Sequence, residues 1–414
     1  MRSKRSGSAF VLAVGTILVL SIVVAAFSVR LESHIRAESN RIGRIKAEQA
    51  VQAGIARAMA TLTSANLNAL DTTEEWATIG NAGAEEFQIG DASVRIQIVD
   101  ATRFVDINSA TEEQLVKMNL TDEQAACLLD WREDQIQPRA LGAKDEFYNA
   151  LETPYNAKLR RFESVNEIFL VKGFTPELVL LPPQNVTSNL LASGSAEDQP
   201  SLADLFQVDS QSPNTRADGS QRVNLNVAQN PQMVQAGIRN QAAQAIIQRR
   251  NTQGQFTSFN QVFNVAGINA QDAETLLNVA TVTNETTLNG KININTASEQ
   301  VLRTIPNLTE QEVAGIVQRS GQFRSLGELV SNAGLNTATL GQVADFFAIG
   351  SSSFLVYAEG RSGPTKVYWI AHIAVENGQP RITKMERPLQ RNPLAKWGWD
   401  DDASTTTTLI QPAE

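Results

Sequence analysis

The chain has 414 residues, with 35 Lys+Arg against 44 Asp+Glu, a formal net charge of −9, and 42 % hydrophobic residues. That length leaves room for two to three domains, and the composition excludes both a disordered acidic chain and a polytopic membrane protein. The acidic balance disfavours any binder driven by release of phosphate counterions. A single cysteine, Cys127, excludes an intramolecular disulfide framework and a zinc ribbon. Two histidines, His34 and His372, leave little scope for a His-based metal or acid–base site.

Residues 1–7 carry Arg2, Lys4 and Arg5 with no acid, and Ser8 to Val29 are 22 uncharged, mostly apolar residues closed by Arg30. At about 1.5 Å per residue this segment spans roughly 33 Å, one bilayer crossing. The basic flank predicts a cytoplasmic N-terminus with the bulk of the chain exported. Ala25-Ala26-Phe27 makes a poor signal-peptidase site. Beyond the apolar run, Leu31, Ile35, Ile42, Ile45, Ile55, Met59 and Leu62 continue a stripe at three-, four- and seven-residue spacing, and no proline precedes Pro138. The pattern predicts one continuous helix from Ser8 to Leu62, roughly 80 Å long, greasy all round in its first half and amphipathic in its second.

A short basic leader ending in Gly7, followed at once by such a helix, resembles type IV pilins and pseudopilins. The resemblance implies cleavage by prepilin peptidase between Gly7 and Ser8 and methylation of the new Ser8 amine. Major pilins carry Glu at the fifth mature position, where it pairs with a neighbour's N-terminal amine; here that position is Leu12. A subunit lacking this carboxylate suits the end of a filament better than its middle.

The middle of the chain repeats itself three times. Val105-Asp106-Ile107-Asn108-Ser109-Ala110, Val223-Asn224-Leu225-Asn226-Val227-Ala228 and Ile292-Asn293-Ile294-Asn295-Thr296-Ala297 share one pattern, each ahead of a helical stretch. The second Asn of each is suited to capping that helix. Each unit later reaches Phe-x-Ser-apolar: Phe162 to Val165, Phe256 to Phe259 and Phe323 to Leu326. The Asn-to-Phe intervals of 54, 30 and 28 residues place an insertion of roughly 25 residues in the first unit. These units look like helix-hairpin-helix or SAM-like bundles. Helix-hairpin-helix modules grip DNA phosphates with a Gly-apolar-Gly turn. The turns here read Met118-Asn119-Leu120-Thr121, Ala236-Gly237-Ile238-Arg239 and Pro306-Asn307-Leu308-Thr309, none with both glycines. Val223 to Asp345 holds seven basic and eight acidic residues, Phe104 to Lys172 eight against thirteen. No nucleic-acid partner is expected; a membrane-anchored DNA-uptake protein is the alternative reading.

The insertion carries Asp130-Trp131-Arg132-Glu133-Asp134, then Gly142-Ala143-Lys144-Asp145-Glu146-Phe147-Tyr148, Thr153-Pro154-Tyr155-Asn156, and Ser164 to Phe174. This order resembles the minor pseudopilin K family of type II secretion systems, over leader, long helix, repeats and C-terminal strands. The resemblance implies a non-enzymatic structural subunit of the inner membrane, at the pseudopilus tip after assembly. Its implied partners are the minor pseudopilins I and J, together with the prepilin peptidase that matures it. It also implies calcium in the helical domain, for which Asp130, Asp134, Asp145 and Glu146 are the candidate ligands, since hard cations take several carboxylate oxygens. No regular ligand spacing is visible in that set, and a solvated acidic face is the simpler reading.

The expected fold is α+β: a pilin-like long helix on an antiparallel sheet, with a large inserted all-α domain. Residues 1–7 are read as leader, 8–29 as the membrane half of the helix, and 30–104 as the periplasmic helix and first strands. Residues 105–350 are read as the helical repeats, with a polar loop at 192–221. The last strands fall in 351–388 and a polar tail without fixed structure in 389–414. Phe87 to Gly90 and Ala92 to Asp100 read as a hairpin, Val94, Ile96 and Ile98 alternating with Arg95 and Gln97. Phe354 to Glu359, Lys366 to Val375 and Arg381 to Met385 read as strands, the last two joined at Asn377-Gly378. Cys127 reads as a small core residue, His34 as a polar helix position, and His372 as non-catalytic.

Overall fold

The computed structural model describes residues 6–182, 200–388 and 393–399. Leader residues 1–5, the first part of the polar stretch (192–199) and tail residues 389–392 and 400–414 lie outside the described residues. One helix, α1, spans Ser6–Leu62. It is exposed from Phe10 to Ile42 and buried on one face from Gly43 onward. That face keeps Ile55, Met59 and Leu62 of the expected aliphatic stripe but not its first half. Leu31, Ile35, Ile42 and Ile45 are exposed, while Ala47, Ala50, Val51, Gly54, Ile55, Ala58 and Leu62 are buried. Small residues win because the helix lies close on a sheet: a Cβ on Gly54 would sit 2.8 Å from Ile96 Cγ2, and one on Gly43 3.0 Å from Thr365 Oγ1. Burial of Val51, Ile55 and Leu62 contributes about 1.5–3 kcal/mol each.

The sheet has five antiparallel strands in chain order: β1 (Phe87–Ile89), β2 (Ala92–Asp100), β3 (Ser353–Ser362), β4 (Thr365–Glu376) and β5 (Gln379–Glu386). Both hairpins expected from the sequence are present. Asn377 and Gly378 adopt φ of 52° and 75°, the left-handed pair that a two-residue hairpin turn requires. β3 runs on through Gly360, where the sequence reading began a turn. Gly360 is there because a Cβ would lie 2.2 Å from the carbonyl oxygen of Ala47 on α1. Val94, Ile96, Ile98, Phe354, Val356, Ala358, Ala371 and Ile373 form the core under α1. The opposite face is covered too. On it Arg95, 5 % exposed, donates to Glu359 at 2.7 Å and to the Gly83 carbonyl at 3.1 Å.

Part of the segment read as a structureless tail does the covering. Leu394–Trp397 is a helical turn, and Leu394, Trp397 and Trp399 are buried. Trp397 stacks on Tyr357 at 4.8 Å, Trp399 donates to Gln97 at 2.8 Å, and Arg95 lies 4.8 Å over the Trp399 ring. Three large apolar side chains outweigh the polar composition around them.

Residues 101–352 are inserted between β2 and β3, and the three repeats share one hydrophobic core. Each repeat opens on a two-residue strand that pairs in parallel with the strand closing it: Val105–Asp106 with Phe206–Gln207, Val223–Asn224 with Ala280–Thr281, and Ile292–Asn293 with Phe347–Ala348. The polar loop expected at 192–221 is therefore structured from residue 200 onward. Leu202, Leu205, Phe206 and Val208 are its buried apolar residues, and Phe206 closes the first unit.

The second Asn of each repeat does not cap a helix. The N-caps are Thr111, Gln229 and Ser298, each three residues further on. The Asn side chain instead clamps the distant Phe. Asn108 accepts from Phe162 N at 2.7 Å and donates to Phe162 O at 3.0 Å. Asn226 does the same to Phe256 at 2.8 and 2.8 Å, and Asn295 to Phe323 at 3.0 and 2.8 Å. The first Asx of each repeat, Asp106, Asn224 or Asn293, accepts from the backbone N–H two residues on, presenting the clamp.

Asp100, at the end of β2 and 1 % exposed, ties this insertion to the sheet. It accepts from Thr102 N at 2.9 Å, Thr296 Oγ1 at 2.6 Å and Asn293 Nδ2 at 3.0 Å. Burial raises its pKa against the pull of these hydroxyls. At the other edge, Glu386 of β5 meets His372 at 3.0 Å and receives the Ser164 hydroxyl of the first unit at 3.3 Å. Burial pushes the Glu386 pKa up, but the hydrogen bonds and charges of His372 and Lys384 outweigh it and hold the carboxyl at about 2.

Gly360→Val, favourable by strand propensity, is expected to lower the melting temperature by several degrees, because backbone and not a movable side chain occupies the space; an unchanged melt would refute the close approach. Asn295→Ala should cost about 3 kcal/mol in denaturant unfolding, since it orphans buried groups at Phe323 and Leu70. Asn295→Asp should fail to restore this, for a carboxylate accepts but cannot donate. The depressed pKa of Glu386 means its contribution is full above the unfolded-state value of 4.5 and is lost as pH falls towards 2. Glu386→Gln should flatten the stability–pH curve in that window.

Candidate functional site

Three places carry the chemistry expected from the sequence: the hairpin turns of the repeats, the acidic loop of the first unit, and the N-terminal end of α1. At the first hairpin turn of each repeat, Asn119, Gly237 and Asn307 adopt φ of 63°, 101° and 63°. Asn tolerates this left-handed conformation, so the turn geometry survives without the two glycines of a phosphate grip. A second turn in each unit centres on Gly173, Gly267 and Gly334, at φ of 84°, 91° and 75°. There the position of a second glycine is taken by the helix N-caps Thr175, Asn269 and Asn336. A capped helix has its first-turn N–H groups partly satisfied and offers less to a phosphate.

Six of the seven basic residues between Val223 and Asp345 are also engaged by partners within the protein. Arg239 forms a two-pronged pair with Asp272 at 3.0 and 2.7 Å. Arg249 donates to Gly254 O and lies 4.3 Å over the Phe256 ring. Arg250 donates to Leu225 O and Ala228 O, as Arg132 does to Ile107 O and Ala110 O one repeat earlier. Lys291 donates to Asp345 O, Arg303 pairs with Glu299 and Glu310, and Arg324 pairs with Asp71. These cations fasten each repeat within itself, and Arg324 ties the third repeat to the loop after α1.

The acidic loop follows the helix Asp122–Arg132, which starts in a Thr121/Gln124 capping box and ends where Glu133 turns extended. Of the four candidate ligands, Asp130 is buried and Asp145 half-buried, while Asp134 and Glu146 are exposed. Asp130 is paired with Arg139 at 2.8 Å, and Asp145 accepts from the Ala157 N–H at 2.7 Å. Among the described residues, no group of three or more His, Cys, Asp or Glu side chains is placed to hold a metal ion. Trp131 packs edge-on against Tyr148 at 5.3 Å and Tyr155 at 6.2 Å, fixing the loop from beneath. Cys127 is buried in the helix, its thiol donates to Leu141 O at 3.6 Å, and burial pushes its pKa up to about 11. That is an inert core thiol, as expected. Sequence reasoning missed Arg139 and Lys144, which stand beside these acids; their alternation with carboxylates over 130–146 was the available signal.

Gly7 and Ser8 lie in the first turn of α1, and Leu12 is exposed on it. Among the described residues, α1 is the one helix long and apolar enough to cross a membrane, and its apolar window buries nothing inside the protein.

Comparison with known proteins gives two families. Residues 100–182 match the model of type II secretion system protein K, its first domain, and residues 218–280 and 289–348 each match the helix-hairpin-helix motif. Curated proteins give no match. A solved chain of the GspK–GspI–GspJ complex from the enterotoxigenic Escherichia coli type 2 secretion system is similar at 13 % identity and a TM-score of 0.40, covering 87 % of this chain and 99 % of that one. That likeness is too loose to carry an argument. The family matches coincide with the repeats: the first repeat, with its acidic insertion, falls in one, and the second and third in the other. Residues 100–182 are thus similar to protein K of type II secretion systems, and this segment is carried, with two matches to the helix-hairpin-helix motif, on a frame of one long helix and an antiparallel sheet.

Proposed function

We propose that the chain is the minor pseudopilin K of a type II secretion system, a non-enzymatic subunit seated at the tip of the pseudopilus that drives protein export across the outer membrane. The observation that carries this is the protein K domain at 100–182 inserted between β2 and β3 of a pilin-like frame. Two features favour the tip. The insertion 101–352 makes the head too bulky to repeat along a thin filament, and Leu12 stands where a subunit inside the filament would carry a carboxylate. The exposed apolar helix supports an inner-membrane precursor with its head in the periplasm. Maturation by prepilin peptidase between Gly7 and Ser8, methylation of Ser8, and assembly with minor pseudopilins I and J complete the reading. The helix-hairpin-helix matches favour a second reading, a membrane-anchored DNA-uptake protein. The inward use of Arg239, Arg249 and Arg250 weighs against it.

Mass spectrometry of the membrane-extracted protein, co-expressed with a prepilin peptidase, should find a methylated N-terminus at Ser8. Gly7→Val should leave the precursor uncut yet inserted. An N-terminus at Phe27 or Ser28 would instead make the segment an ordinary signal peptide. Labelled protein should mark filament ends and co-purify with I and J; regular spacing along filaments would overturn the tip assignment, and salt-dependent affinity for duplex DNA would favour the second reading.

A further inference from the structure

The loop 130–146 gathers oxygen atoms in the way a cation site does. The helix Asp122–Arg132 ends with its last carbonyls unpaired by its own ladder, and this end carries the negative pole of the helix dipole. Asp130 O and Glu133 O converge there, beside the carboxylates of Asp130 and Glu133. The resemblance to protein K would put calcium in this domain. The side chains present put something else.

Lys144 is 5 % exposed, and its ammonium donates to Glu133 O at 2.9 Å and to Asp130 O. Arg139 supplies the second charge. Its Nη1 donates to Asp130 Oδ1 at 2.8 Å, its Nη2 to Glu133 Oε2 at 2.7 Å, and its backbone N–H to Asp130 Oδ2 at 3.0 Å. Both oxygens of Asp130 therefore already accept from Arg139. The carboxylate is also pressed against Gly142, where a Cβ would lie 1.7 Å from Asp130 Oδ2, so the loop has closed as far as backbone allows. Asp145 points its acceptor to Ala157 N, and Asp134 and Glu146 stay in solvent. A divalent ion taking Asp130 as ligand would have to displace a guanidinium already bound and find room beside a buried ammonium. Repulsion between two cations at that range makes the exchange unfavourable.

We propose that this loop is closed by the chain's own cations, Lys144 and Arg139, and that it folds without a bound divalent metal. Lys144 neutralises the helix end and Arg139 cross-links Asp130 to Glu133. Trp131, Tyr148 and Tyr155 pack beneath a loop that is already set.

The test is a thermal melt of the full chain in detergent, in millimolar calcium and in chelator. The two melting temperatures should agree within about 1 °C, since a ligand bound at a hundred times its Kd would shift a domain of this size by several degrees. A rise of about 3 °C or more in calcium, with slower hydrogen exchange of amides 130–146, would overturn the proposal. Lys144→Gln should lower the melting temperature by a similar amount in either buffer, and so should Arg139→Gln; a Lys144→Gln melt equal to the wild type would overturn it as well. Should either variant fail to fold, hydrogen exchange of wild-type amides 130–146 decides. Equal rates with calcium and chelator support closure from within, and slowing by calcium refutes it.

Discussion

A primary amide that donates to and accepts from one distant residue holds each repeat shut. Asn108, Asn226 and Asn295 each bind both backbone groups of a Phe that begins the second half of the unit, and a parallel strand pair closes the same unit at its ends. No other common side chain substitutes: Asp cannot donate, Ser is too short to bind both groups, and Gln adds a rotatable bond. The clamp also explains how the first unit tolerates its insertion. Lengthening a closed loop from 30 to 54 residues costs only about 0.5 kcal/mol of extra closure entropy, well below what a buried two-way hydrogen bond contributes. The segment between the clamp points is free to vary, and in the first repeat it carries the acidic loop.

The same economy applies one level up. β2 and β3 are neighbours in the sheet although the whole insertion separates them in sequence, with Glu359 opposite Arg95 and Phe354 opposite Asp100. The insertion's two ends leave the sheet side by side, which lets a large body be hung there without breaking the ladder. Asp100 fixes its orientation through Asn293 and Thr296 of the third repeat. Leu70 and Ile349 pair backbone to backbone at 2.8 Å on the loop that follows α1. The third repeat, last in sequence, is the one most firmly joined to the frame. The first repeat meets it through Ser164 and Glu386 and through the Lys396–Asp204 ion pair.

Much of this was legible before the coordinates. The long helix, both hairpins, the shared sheet and the three repeats each rest on a period or a turn signal that local chemistry dictates. What was misread depends on partners far away in sequence. The Asn of each repeat looks like a cap because it precedes a helix, yet its partner lies 28 to 54 residues on. Ile42 and Ile45 look like core and are exposed, because a helix lying this close to a strand must present Gly and Ala instead. Trp397 and Trp399 sit in a segment whose average composition is polar, and an average hides three residues with a prepared surface. Lys144 reads as one cation among acids until the helix end it neutralises is in view.

The run of small residues along α1 has a mechanical meaning. Gly43, Ala47, Ala50, Gly54 and Ala58 let the helix come close to the sheet, with the Ala47 carbonyl against Gly360 and Gly54 directly against the short branched side chains of Val94 and Ile96. Such a contact is stiff, because close-packed atoms at van der Waals distance have no slack to take up. A push or pull along the apolar half of the helix would reach the sheet without delay, and through Asp100 the third repeat. The molecule is built as a rod fused to a load, so that axial displacement at the apolar end of the helix becomes equal displacement of the head.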